Sequence, residues 1–144
     1  MNEALKEAEK ALKVEEVPVG AVIVKEGVII AKAHNLKETL KDPTAHAEII
    51  AIRKACEVLK DWRLSGCEMY VTLEPCPMCA SAIAQARISK VYIGTFDPVA
   101  GACGSVVDLI GNNYINYNVN VIWQYSEECS NIISNFFKLR RDKS

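Results

Sequence analysis

Two short clusters constrain this chain more than anything else in it: His46-Ala47-Glu48 and, thirty positions beyond the histidine, Pro75-Cys76-Pro77-Met78-Cys79. A fold that uses both must bring them to one point. Together they offer three side chains of metal-ligating type and one additional carboxylate. His34 is the only other histidine, and Cys56, Cys67, Cys103 and Cys129 stand alone, outside the roughly two-to-four-residue spacing that pairs zinc ligands. A structural zinc closes its tetrahedron with four protein ligands, whereas a catalytic zinc takes three and leaves the last position to water. The site therefore reads as an open one, with His46, Cys76 and Cys79 holding one Zn²⁺ per chain.

The spacing says where such a metal must lie. On a regular helix, residues two apart point about 200° away from each other, so His46 and Glu48 cannot share a side face. Asp42, Pro43 and Thr44 supply helix-start chemistry just upstream, which places His46 and Glu48 in a first turn whose side chains can converge beyond the helix end. Cys76 and Cys79, three apart, face the same way, and Pro75 and Pro77 suit the opening of a second helix. Two helix N-termini aimed at one metal favour thiolate over thiol and hydroxide over water.

One imidazole and two thiolates leave Zn²⁺ formally neutral and still able to acidify a bound water towards a pKa of about 7. A proton carrier must stand beside that water, and Glu48 is the nearest carboxylate that is not itself a ligand. Hydrolytic deamination needs this pairing, because water adds to an amidine-like ring carbon and the amine departs as ammonia. Taken singly, each cluster has a plainer explanation. A lone C-x-x-C in a reducing compartment is often a redox dithiol, and a lone His-x-Glu is most often surface or satisfied core. Their conjunction, with helix-start residues before each and one strand-like run between them, favours the metal.

The same residues carry a family resemblance. Val17-Pro18-Val19-Gly20-Ala21-Val22, Asp42-Pro43-Thr44-Ala45-His46-Ala47-Glu48 and Thr72-Leu73-Glu74-Pro75-Cys76-Pro77-Met78-Cys79-Ala80 resemble the zinc-dependent nucleoside and nucleobase deaminases of the cytidine deaminase fold. Asp97-Pro98, Gly101-Ala102-Cys103-Gly104-Ser105 and the ending Phe136-Phe137-Lys138-Leu139-Arg140-Arg141 are similar to the branch of that family that acts on tRNA. Ser81 departs from the glycine many relatives carry there, a change of packing rather than ligation.

The resemblance implies a three-layer α/β/α fold with a mixed central sheet of about five strands. It implies His46, Cys76 and Cys79 as zinc ligands and Glu48 as proton shuttle. Asn35, Ala47 through its backbone, and Asp97 would contact substrate. The implied reaction is conversion of adenosine to inosine at the wobble position of a tRNA anticodon, by attack of zinc-bound hydroxide on C6 of a flipped-out adenine. A homodimer is implied as well. The motif itself would serve cytosine, guanine or adenine equally. A free nucleobase or nucleoside deaminase of guanine or cytosine type therefore stays open, as does a zinc-stabilised binding protein without turnover.

At 144 residues, half of them apolar, the chain is expected to form one domain over residues 1–144, with no room for a separate RNA-binding module. Its net charge of −1 and pI near 6.1 provide no general attraction for nucleic acid. Contact with a tRNA anticodon loop must be local. Lys138, Arg140, Arg141 and Lys143 against Asp142 give the tail +3, four minus one. Lys138, Arg140 and Arg141, with Phe137 as a base-stacking aromatic, are the candidate RNA contacts, and Phe136 is expected in the core. A solvated helix end explains the same charges.

No apolar run approaches the roughly eighteen residues of a membrane span, and the Glu- and Lys-rich start does not resemble an export signal. A cytoplasmic protein without disulfides or membrane contact is expected. The elements read as follows: an N-terminal helix with a stripe of Ala4, Leu5, Ala8, Ala11 and Leu12, and a hairpin of 17–25 and 28–33 about Glu26-Gly27. A helix from His46 to about Leu59 leads to a strand over 69–73. The cysteine helix to about Arg87, strands over 90–95 and 119–124, and a last helix from about Glu127 complete the chain. Gly111 to Tyr114, with Asn116, Asn118 and Asn120, reads as a polar loop.

Overall fold

The hairpin forms where its turn residues place it. β1 (Gly20–Lys25) and β2 (Val28–His34) run antiparallel with Lys25 opposite Val28, and Glu26 and Gly27 turn between them at φ 51° and 78°, the positive pair a two-residue hairpin requires. β1 starts at Gly20 rather than Val17. Pro18 has no N–H to give a ladder, and Val19 bonds back to Val17 O at 2.9 Å.

The computed structural model describes residues 1–111 and 117–143. Most of the polar loop expected around Asn112 to Asn116 lies outside the described residues. Beyond the hairpin come α2 (Lys37–Leu40), α3 (Ala47–Leu59), β3 (Cys67–Val71), α4 (Pro77–Gln85), β4 (Lys90–Ile93) and β5 (Asn120–Trp123), between α1 (Asn2–Lys13) and α5 (Glu127–Lys143). The sheet order is β2-β1-β3-β4-β5, with β1 antiparallel to both neighbours and β3, β4 and β5 parallel. This is the expected mixed five-stranded sheet. α3 and α4 cover the face that presents Ala21, Ile23, Met69, Val71, Val91 and Ile93, which with Ala47, Ala51, Ala80 and Ile83 form the main core.

α1 and α5 pack on the opposite face, making the third layer. There Ala4, Ala8 and Ala11 are fully buried, but Leu12, expected on the same stripe, is 41 % exposed at the helix end. Alanines bring α1 onto the sheet so closely that a Cβ on Gly20 would collide with Ala4 O and lie 2.7 Å from Ala8 N. Backbone atoms on both sides leave nothing to give way. Gly20→Ala should destabilise the protein by about 1–3 kcal/mol, read as a lowered denaturation midpoint, and an unchanged midpoint would contradict this seating of α1.

Three buried carboxylates stitch the elements together. Glu7 accepts hydrogen bonds from Lys10 Nζ at 2.7 Å and pairs with His34 Nδ1 at 3.0 Å, fastening α1 to the end of β2. Glu16 accepts the N–H groups of Glu38 (3.1 Å) and Thr39 (2.6 Å) and so anchors α2. Glu74 ties the loop that follows β4 to the chain beside Cys76. Among the described residues no helix is long and apolar enough to cross a membrane.

Candidate metal centre

His46 is the N-cap of α3, in extended conformation at φ −74°, ψ 153°, and Glu48 is the helix's second residue. The helix starts one residue after the expected His46, and Asp42 directs its carboxylate to the Thr44 N–H and hydroxyl, at 2.8 and 2.7 Å, in the turn that precedes it. α4 repeats the device. Cys76 is its N-cap at φ −73°, ψ 174°, Pro77 is its first residue, and Cys79 follows two residues further on.

Both helices begin at the carboxyl end of the sheet beside β3, and the ligand atoms of His46, Cys76 and Cys79 all fall within 4.8 Å of one another. Cys76 Sγ lies 3.6 Å and Cys79 Sγ 3.5 Å from His46 Nδ1. A tetrahedral zinc with Zn–S of about 2.3 Å and Zn–N of about 2.0–2.1 Å separates its sulfur and nitrogen ligands by about 3.6 Å. The donor set fits one zinc ion, with Nδ1 as the facing nitrogen. No other group of three or more metal-ligating side chains is gathered this way among the described residues.

Electrostatics suit the same purpose. The hydrogen bond from Cys79, with help from His46 and against burial, lowers Cys76 to about 4, so it is a thiolate at neutral pH. Cys79 is correspondingly held above the ordinary thiol range, first by Cys76 and then by burial. Glu48 is 4 % exposed, and burial raises its carboxyl to about 7.

A cavity of about 210 Å³ opens over His46, Cys76 and Glu48. Val17, Val19 and Leu73 give it apolar walls, and Asn35, Ala47 and Asp97 also line it. Asn35 Nδ2 donates to Val17 O at 3.3 Å and its Oδ1 accepts the Lys37 N–H at 3.2 Å, leaving one amide hydrogen and one lone pair for a ligand. Ala47 opens α3, where helix N–H groups have no intrahelical acceptor. Asp97 directs Oδ1 to the N–H groups of Val99 (2.9 Å) and Ala100 (3.2 Å), so it shapes the rim as much as it faces a ligand.

Sequence reasoning assigned Glu74 no role. Buried beside Cys76, it accepts three backbone N–H groups, from Asp97 at 2.9 Å, Cys103 at 3.0 Å and Ser105 at 3.1 Å, and thus holds the loop 97–105 against the cavity. Gly101 is required there, since a Cβ would collide with the Glu74 carboxylate. The available signal was a charged residue directly before Pro75-Cys76 in the passage from strand to helix.

A second hollow of about 370 Å³ adjoins the first through Leu73 and Asp97 and is lined by Phe96, Pro98, Ser130, Phe137 and Arg141. The four residues expected to meet RNA are thereby separated. Phe137 and Arg141 face this groove, whereas the Arg140 guanidinium lies 4.8 Å over the ring of buried Phe136, beside Leu12 and Glu15. Lys138 is exposed, and the Lys143 side chain and Ser144 lie outside the described residues.

An open three-ligand metal site with a buried carboxylate beside it, at the mouth of a small cavity, defines a hydrolytic metal centre rather than a structural one. Residues 1–95 match the Cytidine and deoxycytidylate deaminase zinc-binding region, and the chain belongs to that family. It is 48 % identical over 144 residues to the tRNA-specific adenosine deaminase of Bacillus subtilis, covering 99 % of this chain and 89 % of that one. To the tRNA-specific adenosine deaminase of Aquifex aeolicus it is 50 % identical over 141 residues, 96 % of this chain and 92 % of that one. A solved structure from work on A-to-I editing by tRNA:A34 deaminases superposes with TM-score 0.83 at 47 % identity, over 85 % of this chain and 95 % of that chain. Guanine deaminase from Bacillus subtilis superposes with TM-score 0.65 at 34 % identity, over 97 % and 90 %.

Proposed function

We propose that this chain is a cytoplasmic, homodimeric zinc hydrolase that converts adenosine to inosine at the wobble position of tRNA anticodons. The observation that carries the substrate is that the two hollows adjoin at Leu73 and Asp97. A cavity of about 210 Å³ is smaller than the roughly 300–1,000 Å³ of pockets that enclose a drug-sized ligand. It suits a base and leaves sugar and phosphate outside. The adjoining groove, with Phe137 and Arg141 on its wall, offers an aromatic face and a guanidinium of the kind that holds unstacked loop nucleotides. The similarity to tRNA-specific adenosine deaminases over nearly the whole chain supports the same reading.

His46 Nδ1, Cys76 and Cys79 would hold the zinc, which when bound supplies Lewis acidity and a water acidified to near neutral pH. Asn35, the first N–H groups of α3 and the apolar walls would orient the base. Glu48 would take a proton from the water as its oxygen adds to C6 and give it to N1, then carry the proton of the added hydroxyl to the exocyclic nitrogen as the C6–N bond breaks. Water enters and ammonia leaves, so the balance needs no further reagent. A carboxyl raised to about 7 exchanges protons readily in both directions at neutral pH.

The likeness to a guanine deaminase keeps a free-base reading in view, and the metal and carboxylate would serve it equally well. Incubating the zinc-loaded protein with total tRNA, then digesting to nucleosides, should reveal inosine in proportion to time and enzyme. Its absence at full zinc occupancy would overturn the tRNA reading. Sedimentation of the same sample should give the mass of two chains.

A further inference from the structure

We propose that Lys37 is a specificity-determining residue that clamps the RNA backbone phosphate beside the nucleotide whose base enters the cavity. This rests on an RNA loop being the substrate. Lys37 is the only lysine or arginine among the residues lining that cavity, where the acidic groups Glu48, Glu74 and Asp97 also stand. A base attached to phosphates approaches three carboxylates, and phosphate needs a compensating cation nearby. Lys37 is free to be that cation, since it is exposed and makes no ion pair among the described residues, whereas Lys6, Lys10 and Lys32 are paired with Glu3 or Glu7.

Its backbone is fixed although its side chain is not. The Lys37 N–H is held by Asn35 Oδ1 at 3.2 Å, and the next two N–H groups are held by Glu16, which is 1 % exposed. These bonds anchor the start of the lysine stem at the rim, next to the carboxamide expected to meet the base or ribose. The topology sets the direction. Lys37 follows β2, the edge strand on one side, whereas Phe96 follows β4 and Phe137 and Arg141 come from α5, on the other side of β3. A strand lying in the groove and dropping one base into the cavity leads its next phosphate towards Lys37.

The test uses the zinc-loaded full chain, Lys37→Gln and Lys37→Arg with an anticodon stem-loop carrying adenosine at the wobble position, over a range of salt. Lys37→Gln should raise KM roughly three- to tenfold at low salt with kcat nearly unchanged. Loss of one phosphate contact should flatten the log–log salt slope by about 0.7 to 0.9. Lys37→Arg should restore the slope, and zinc content should be equal in all three proteins. If wild type deaminates the stem-loop and Lys37→Gln matches it in KM and slope, the clamp is overturned while the tRNA reading stands. If wild type leaves the stem-loop unchanged at full zinc occupancy, the RNA reading and the clamp fall together.

Discussion

Replacing Glu48 with glutamine should leave zinc content near one per chain and lower turnover by at least about 10²–10⁴-fold, the usual loss when a general acid/base is removed. The amide keeps the shape of the side chain in a site where Glu48 is 4 % exposed, so packing is preserved. What disappears is the ability to take a proton and return it. Because burial raises this carboxyl to about 7, it is matched to transfer in both directions near neutral pH, and no other carboxyl lining the cavity can replace it. Glu74 is committed to three backbone N–H groups, and Asp97 to two. Metal analysis and initial rates on one preparation check the result. Retention of more than about a tenth of wild-type turnover would remove Glu48 from the chemistry and favour a zinc-stabilised protein with another task.

Cys76→Ala should abolish zinc occupancy, turnover and a part of the stability together. Two donors would remain, His46 and Cys79, and Cys79 is the thiol held above the ordinary range when its neighbour carries the charge. Removing Cys76 therefore takes away the thiolate that Cys79 and His46 both stabilise. Metal that binds only the folded state contributes to folding by mass action, so the thermal midpoint should fall along with the metal. Cys56→Ala serves as a control, because Cys56 lies at the far end of α3 and should leave zinc and rate unchanged. Full metal occupancy in Cys76→Ala would defeat the ligand assignment.

The centre was legible in the sequence because each half of it is local. His46 and Glu48 are two residues apart, Cys76 and Cys79 three, and the prolines and the Asp42 turn mark helix starts in place. A ligand at an N-cap followed by a functional group in the first turn needs only the chain's own direction. The alternation of strand and helix was legible for the same reason, since β1, β2, β4 and β5 carry clear apolar runs bounded by turn residues. The limits of β3 were not. Residues 72 and 73 look like strand, but β3 runs Cys67–Val71; beyond it the Thr72 N–H still bonds Gly20 O and the Glu74 N–H bonds Thr95 O as the chain is delivered to Cys76.

What could not be read depends on partners far away in sequence. Glu16 reaches 22 and 23 residues ahead to anchor α2, and Glu74 reaches 23, 29 and 31 residues ahead to hold its loop. In sequence Glu16 resembles an ordinary surface acid, and Glu74 shows only as a charge in the passage from strand to helix. The basic tail reads as one cluster in sequence, but on the helix its side chains divide. Successive residues on a helix point about 100° apart, so Phe137 and Arg141 reach the groove while Arg140 turns back over Phe136.

Zinc and a carboxylate can deaminate several bases, so the decisive measurement is one of selectivity. An anticodon stem-loop with adenosine at the wobble position, free adenosine, cytidine and guanine should be incubated separately at matched enzyme concentration and followed by mass spectrometry. If binding energy from flanking nucleotides in the groove is used to reach the transition state, the truncated substrates lose kcat as well as affinity. Rapid inosine formation in the stem-loop with little or no change in the three small molecules is the expected result. Preferential turnover of a free base or nucleoside would contradict it and make this chain a small-molecule deaminase built on the same centre.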